Sequence, residues 1–276
     1  MAKKSLQDLT IKDNFMFGAV MLDPDNCKGS IERILGIPIE RVEVDREKSI
    51  VYHPKYKGIR FDAYAKDENN TRYGIEMQVR SQTALRKRAR YYGSQMDMDI
   101  LLTGTSYKKL PNTYVIFICD FDPLGEKLYC YTQDKVCKER PNLSMDDGAH
   151  VMFLSTKGTN KEEVSPELLR LLEYVDKPTD ESQDDDDAFI NALKETVKKV
   201  KVSREMGALY MIWEEEIEDA FAEGKAEGKA EGKAEGKAEG EELAKKIFKL
   251  HLAGKSAEEI AGACEVTVDK VRDILA

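Results

Sequence analysis

The stretch 113-TYVIFIC-119 carries apolar side chains at odd and even positions alike. Successive residues of a strand point to opposite faces, so this run fits a strand buried on both sides and in need of cover above and below. Its neighbours supply the layers. Residues 11–36 read as helical, interrupted by a DPDN turn at 23–26, with Phe15, Phe17, Ile31, Ile34 and Leu35 available to a core. Strands follow at 42–53, 59–66 and 72–79, then a helix over 82–102, shorter strands at 127–132 and 150–155, and a helix over 166–175. Helix, three strands, helix, strand is the order of an α/β chain with a mixed sheet flanked by helices.

Charge divides the chain of 276 residues. Residues 1–178 hold 28 basic and 27 acidic side chains, so the overall net charge of −9 arises after residue 178, beginning within the acidic stretch 176-DKPTDESQDDDD-187. The N-terminal part is neutral overall and able to carry a local basic face for phosphates. Five cysteines without a CxxC pair argue against a disulfide framework or a thiolate zinc site, and scattered histidines at 53, 150 and 251 argue against a His-based one. Any metal is therefore expected on carboxylate oxygens. With no apolar run long enough to span a bilayer and no secretory h-region, the expected location is the reducing cytoplasm, with no membrane partner.

The candidate chemistry lies in 58-GIRFDAYAKDENNTRYGIEMQV-79. Alternation in 72–79 puts Tyr73, Ile75, Met77 and Val79 on one face and Glu76 and Gln78 on the other. In 59–66 it groups Phe61, Ala63 and Ala65 apart from Arg60, Asp62, Tyr64 and Lys66. A five-residue loop, 67-DENNT-71, pairs Lys66 with Arg72 and hence Asp62 with Glu76. Directly opposed Cβ atoms lie about 4.5–5.5 Å apart. Carboxylates so close repel unless a proton or cation lies between them. A hard divalent cation such as Mg²⁺ accepts one or two carboxylates plus waters and phosphate oxygens, and activates water for phosphodiester hydrolysis. A hairpin with a solvent-exposed polar face and no chemistry accounts for the same pattern, and pairing alone leaves both readings open.

Beyond the acidic stretch the chain is expected to be all-α: linker and helix over 179–221, then 222-AEGKAEGKAEGKAEGKAEG-240, with glycine at every fourth residue. That repeat is either a helix with a small-residue stripe for a partner helix or a flexible spacer. Residues 241–276 show three short helical patterns, a Ser256/Glu259 capping box and a helix-turn-helix outline, with six basic and seven acidic residues.

Asp62, then Glu76-Met77-Gln78 after thirteen residues, resembles the PD-(D/E)xK nuclease superfamily, with Gln78 at the lysine position. More narrowly, 12-KDNFMF-17, the IEMQV core and 80-RSQTALRKRARYYGSQM-96 resemble the Rpn family of recombination-promoting nucleases, also described as putative transposases. The likeness spans about residues 8–155, and the repeat and tail also look like that family's C-terminal region. It implies a restriction-endonuclease-like αβββαβ core over residues 1–178 and a divalent-metal-dependent DNA endonuclease, using Mg²⁺ or Mn²⁺, linked to recombination, mobile elements or phage defence. Asp62 and Glu76 would be metal ligands, and Gln78 would orient the attacking water or contact metal or phosphate. Asp13 is a candidate additional acid, with a helix N-cap as the plain alternative. Tyr92 and Gln95 match the family's YY…Q pattern and would flank the metal, and Arg88 and Arg90 are candidate phosphate contacts. Glutamine in place of lysine implies slow turnover or a need for activation. Competing readings are a catalytically weak DNA-binding recombination accessory and a non-enzymatic self-associating scaffold; an RNA substrate also stays open. The C-terminal helices are expected to drive dimerisation or higher self-association, which would bring together the two sites that double-strand cutting needs.

Overall fold

The computed structural model describes residues 4–46, 48–50, 57–179 and 186–276. They form two compact units, residues 1–210 and 211–276. The first opens with α1 (Asn14–Met21) and α2 (Pro24–Leu35). The expected break lies between them: Asp23 caps α2 by accepting from the Asp25 and Asn26 N–H groups, Pro24 takes the first turn, and Gly36 closes the helix at φ 68°.

Strands β1 (Val42–Arg46), β2 (Ser49–Ile50), β3 (Ile59–Arg60), β4 (Ala63–Asp67) and β5 (Arg72–Gln78) follow, then α3 (Leu85–Ile100) and β6 (Thr113–Cys119). Beyond them lie β7 (Cys130–Gln133), the unforeseen ribbon β8 (Val136–Cys137) and β9 (Arg140–Ser144), β10 (Ala149–Ser155) and α4 (Pro166–Asp176). One six-stranded mixed sheet has the order β1-β4-β5-β6-β10-β7, with β5, β6 and β10 parallel and the other pairs antiparallel. The run at 113–119 occupies the interior of this sheet, buried along nearly its whole length. On one face α3 packs against β6 and β10 over Val115, Phe117 and Phe153; α1 packs against β1, β4 and β5.

Two expectations change. The strand read over 42–53 ends at Arg46, with Ser49–Ile50 forming a separate short strand; its last residues, 51–53, lie outside the described residues. The strand read over 59–66 is two strands: Ile59–Arg60 pairs with Ser49–Ile50 in a small ribbon, and only Ala63–Asp67 joins the main sheet. The chain bends at Phe61–Asp62, so the alternation that grouped Phe61 with Ala63 and Ala65 fails. Phe61 instead lies on the α3 face, with its ring 5.1 Å from that of Tyr92 and edge-on to it.

After residues 180–185, which lie outside the described residues, α5 (Ala188–Val202) packs against α1, α2 and α4. Asp187 fastens this corner. Its carboxylate takes a two-pronged ion pair from Arg33 at 2.9 and 2.8 Å, accepts from Arg170 Nε at 2.8 Å and caps α5. The helix expected over 188–221 is interrupted at Ser203, where α6 (Arg204–Leu252) begins. The repeat at 222–240 is therefore helical. In the second unit, the end of α6 joins α7 (Ala257–Cys264) and α8 (Val268–Leu275) around Ile247, Ile260 and Val271. The capping box forms as expected, with the Ser256 N–H donating to Glu259 Oε2 at 2.9 Å. Glu265 at φ 56° makes the turn between α7 and α8.

Candidate active site

The hairpin register follows from its loop. Asp67 Oδ1 accepts from the Asn69 and Thr71 N–H groups at 2.9 and 2.8 Å, while Oδ2 accepts from the Tyr73 hydroxyl at 2.8 Å. With Asn70 at φ 66°, this closed turn pairs Lys66 with Arg72. Pairing continues to Ala63↔Ile75 and stops. Asp62 is the next residue, on the register that aims it at Glu76.

The departure of Phe61 and Asp62 from the sheet leaves the Met77 N–H without a strand partner on that side. Asp62 Oδ2 accepts it at 2.8 Å. From the other side Asn14, the first residue of α1, donates its Nδ2 to both Asp62 oxygens at 3.1 Å. Two glycines make this approach possible. A Cβ at Gly18 would lie 2.8 Å from the Asp62 carbonyl oxygen, and one at Gly74 would lie 2.2 Å from the Phe61 ring. α1 and β5 thus close on the bend from two directions.

Glu76 points into the α3 face, and its residue is only 1% exposed. The reading of a solvent-exposed polar face fails around Glu76 and Gln78, which are both buried, although Lys66 on the same face stays partly exposed. Arg88 on α3 reaches down between them, donating Nη2 to Glu76 Oε2 at 2.5 Å and Nη1 to Gln78 Oε1 at 2.9 Å. Gln78 Nε2 donates to the Arg80 carbonyl at 2.7 Å, so both ends of its amide are engaged. The guanidinium carbon lies 4.9 Å from the Tyr92 ring centre and 5.3 Å from that of Phe117. The other Glu76 oxygen, Oε1, is buried with no hydrogen-bond partner.

The electrostatics follow from this packing. Burial, followed by the nearby Asp62 charge, pushes Glu76 well above the usual glutamate range although Arg88 pulls the other way. Burial raises Asp62 to about 6 against the opposing hydrogen bonds from Met77 and Asn14. For Arg88, burial disfavours the charged form, but Glu76, Tyr92 and Asp62 together outweigh it and hold the guanidinium protonated. Ionising both carboxyl groups together is therefore disfavoured in the absence of a further cation, and one Glu76 oxygen has no hydrogen-bond partner. A hard divalent cation suits this donor set: Glu76 Oε1 is free to take it and Asp62 retains lone pairs beyond its three hydrogen bonds. Among the described residues no third His, Cys, Asp or Glu joins them.

The other candidates are distributed differently. Asp13 precedes α1 as its N-cap residue and engages Thr10 N at 2.8 Å and Lys4 Nζ at 2.6 Å; the neighbouring Asn14 is what reaches Asp62. Sequence reasoning missed Asn14 because only the approach of α1 to the bend brings it there. Tyr92 is buried beneath Arg88, and Gln95 is buried one turn along the same helix. Arg88 is committed to Glu76 and Gln78, yet its side chain is 28% exposed. It lines an open cleft of about 470 Å³ with Lys57, Gln82, Lys87, Tyr91 and Tyr92. Arg90 is exposed and faces a separate cleft with Asp97, Asp134 and His150.

Comparison with protein families gives a match over residues 30–223 to the PD-(D/E)XK nuclease family transposases. The chain belongs to this family. The match contains the bend, the β4–β5 hairpin and α3, and so every residue of the site except Asn14 on α1. The mixed sheet flanked by helices is its PD-(D/E)XK-like fold. No curated protein and no solved structure matches the chain.

Proposed function

We propose that this nuclease-family chain is a divalent-metal-dependent endodeoxyribonuclease that hydrolyses phosphodiester bonds, with Asp62 and Glu76 holding Mg²⁺ or Mn²⁺. The observation that carries this reading is Glu76 Oε1, an acceptor buried without a donor beside a second carboxylate. Such a group costs on the order of 1–3 kcal/mol or more when left unsatisfied. A bound divalent cation would supply an activated water and neutralise charge on the phosphate. Asn14 and the Met77 N–H fix the Asp62 carboxylate, so this ligand does not have to reorganise to receive the ion. The adjoining cleft, with Lys57 and Lys87 in its wall, offers a path for a phosphate backbone.

DNA is the substrate we assign, because the family is one of transposases; linkage to recombination or mobile elements follows from the same ground. We further propose self-association through α6, where Met211, Ile212, Ile217 and Phe221 are exposed apolar side chains. Among the described residues no helix is long and apolar enough to cross a membrane, and all five cysteines are free. The test is cleavage of supercoiled plasmid in Mg²⁺, Mn²⁺, Ca²⁺ or EDTA by the full chain, Asp62→Asn and Glu76→Gln. Metal-dependent nicking lost in both variants supports the reading. Wild type inert with every metal, or a folded Asp62→Asn variant that still cuts at the wild-type rate, overturns it.

A further inference from the structure

Gln78 stands where the motif's lysine would be, and the structure places a cation beside it. Arg88 Nη1 is 2.9 Å from Gln78 Oε1, and Nη2 is on Glu76. The amide orientation is self-consistent, since Gln78 Nε2 faces the Arg80 carbonyl and its oxygen must therefore face a donor. A lysine at position 78 would aim an ammonium at this guanidinium. Arginine on the helix and glutamine on the strand are thus a matched pair, and the positive charge has moved from β5 to α3.

We infer that Arg88 is the catalytic cation of this centre, contacting the scissile phosphate, and that Gln78 is its positioning residue. The guanidinium has donors beyond the two used on Glu76 and Gln78, and its exposed edge opens on the Lys87-lined cleft. Stacking over Tyr92 and Phe117 limits the directions in which it can move. In the reaction the oxygen of water bonds to phosphorus while the ester P–O bond breaks. The proton of water passes to solvent, and the leaving oxygen keeps the electron pair until solvent protonates it. Arg88 transfers no proton; it neutralises charge growing on the phosphoryl oxygens. The inference rests on the nuclease reading and goes beyond it in locating the cation.

The test is a two-residue cycle in the full chain: Arg88→Gln, Gln78→Lys and Gln78→Lys/Arg88→Gln. Three readouts are plasmid cleavage in Mg²⁺, Mn²⁺ affinity by calorimetry, and folding by circular dichroism. Arg88→Gln is expected to slow cleavage about 100-fold. It should also bind Mn²⁺ more tightly, by about threefold or more, because a competing positive charge has gone. A merely structural arginine would weaken both when removed. Gln78→Lys alone, with two cations opposed, should be impaired, and the double variant should recover at least about tenfold over Arg88→Gln by returning the charge to the strand. Cleavage by Arg88→Gln within about threefold of wild type, weaker Mn²⁺ binding by that folded variant, or a double variant no better than Arg88→Gln overturns the assignment. If Arg88→Gln does not fold, the comparison of Gln78→Lys with the double variant decides it: a single variant that cuts as well as the double one overturns it. Failure of the nuclease reading is distinct, because wild type itself is then inert with every metal, and it overturns both.

Discussion

Asp62→Asn should make the metal-free protein more stable while removing its activity. Burial raises the Asp62 carboxyl from an ordinary 3.8 to about 6. The folded state therefore holds its proton more tightly than the unfolded chain, and the ionised form penalises folding. The penalty is absent well below pH 3.8, accrues between 3.8 and about 6, and is complete above. Two pKa units correspond to about 3 kcal/mol at neutral pH. The Asp62 residue is only partly buried, so solvent screening lowers this to about 1–2 kcal/mol. Asparagine keeps the acceptor for the Met77 N–H and can exchange amide donor and acceptor roles with Asn14, so little packing is lost. Equilibrium urea unfolding in EDTA at pH 7.5 should show the variant about 1–2 kcal/mol more stable, a shift of the melting midpoint by about 2–4 °C per kcal/mol. The difference should shrink by about half at pH 5, and saturating Mg²⁺ should reverse it by stabilising only wild type. A variant less stable than wild type at pH 7.5 without metal would show that the carboxylate pair is not under electrostatic strain.

Other expectations follow from the same structure. Cleavage should fall as pH drops through about 6, with a logarithmic slope between one and two, because protons compete for both Asp62 and Glu76; a flat profile from pH 8 to 5 would contradict carboxylate ligation. Asp187→Ala should destabilise the first unit by about 3–5 kcal/mol, since it strands Arg33 and removes the α5 cap; a loss below about 1 kcal/mol in denaturant unfolding refutes that role. Replacing Gly228, Gly232 and Gly236 with alanine should stabilise α6 by about 0.8–1 kcal/mol per site, because an added Cβ meets nothing within 4 Å. Far-ultraviolet circular dichroism should show more helix persisting on heating, and unchanged or reduced helicity would refute the estimate.

The sequence by itself determined the elements whose causes are local. An Asp67-centred turn of fixed length forces Lys66 onto Arg72, and the parity of that register carries Asp62 to Glu76. Apolar residues at every position from 115 to 119 required cover on both faces, and Ser256 with Glu259 announced the start of α7. What tertiary structure alone decided is where the polar face of the hairpin looks. Alternation says which residues share a face but not what covers it, and Arg88 of α3 comes to lie on Glu76 and Gln78, which are buried. The bend at Phe61–Asp62 depends on a separate ribbon drawing Ile59–Arg60 away, and Asn14 reaches Asp62 only because Gly18 lets α1 approach. Arg88 was one of several cations on a helix until packing aimed it between Glu76 and Gln78. Spacing within one segment is enforced by covalent geometry and short-range sterics, whereas the partner of a buried charge is chosen by elements far apart in the chain that must satisfy one another once water is excluded.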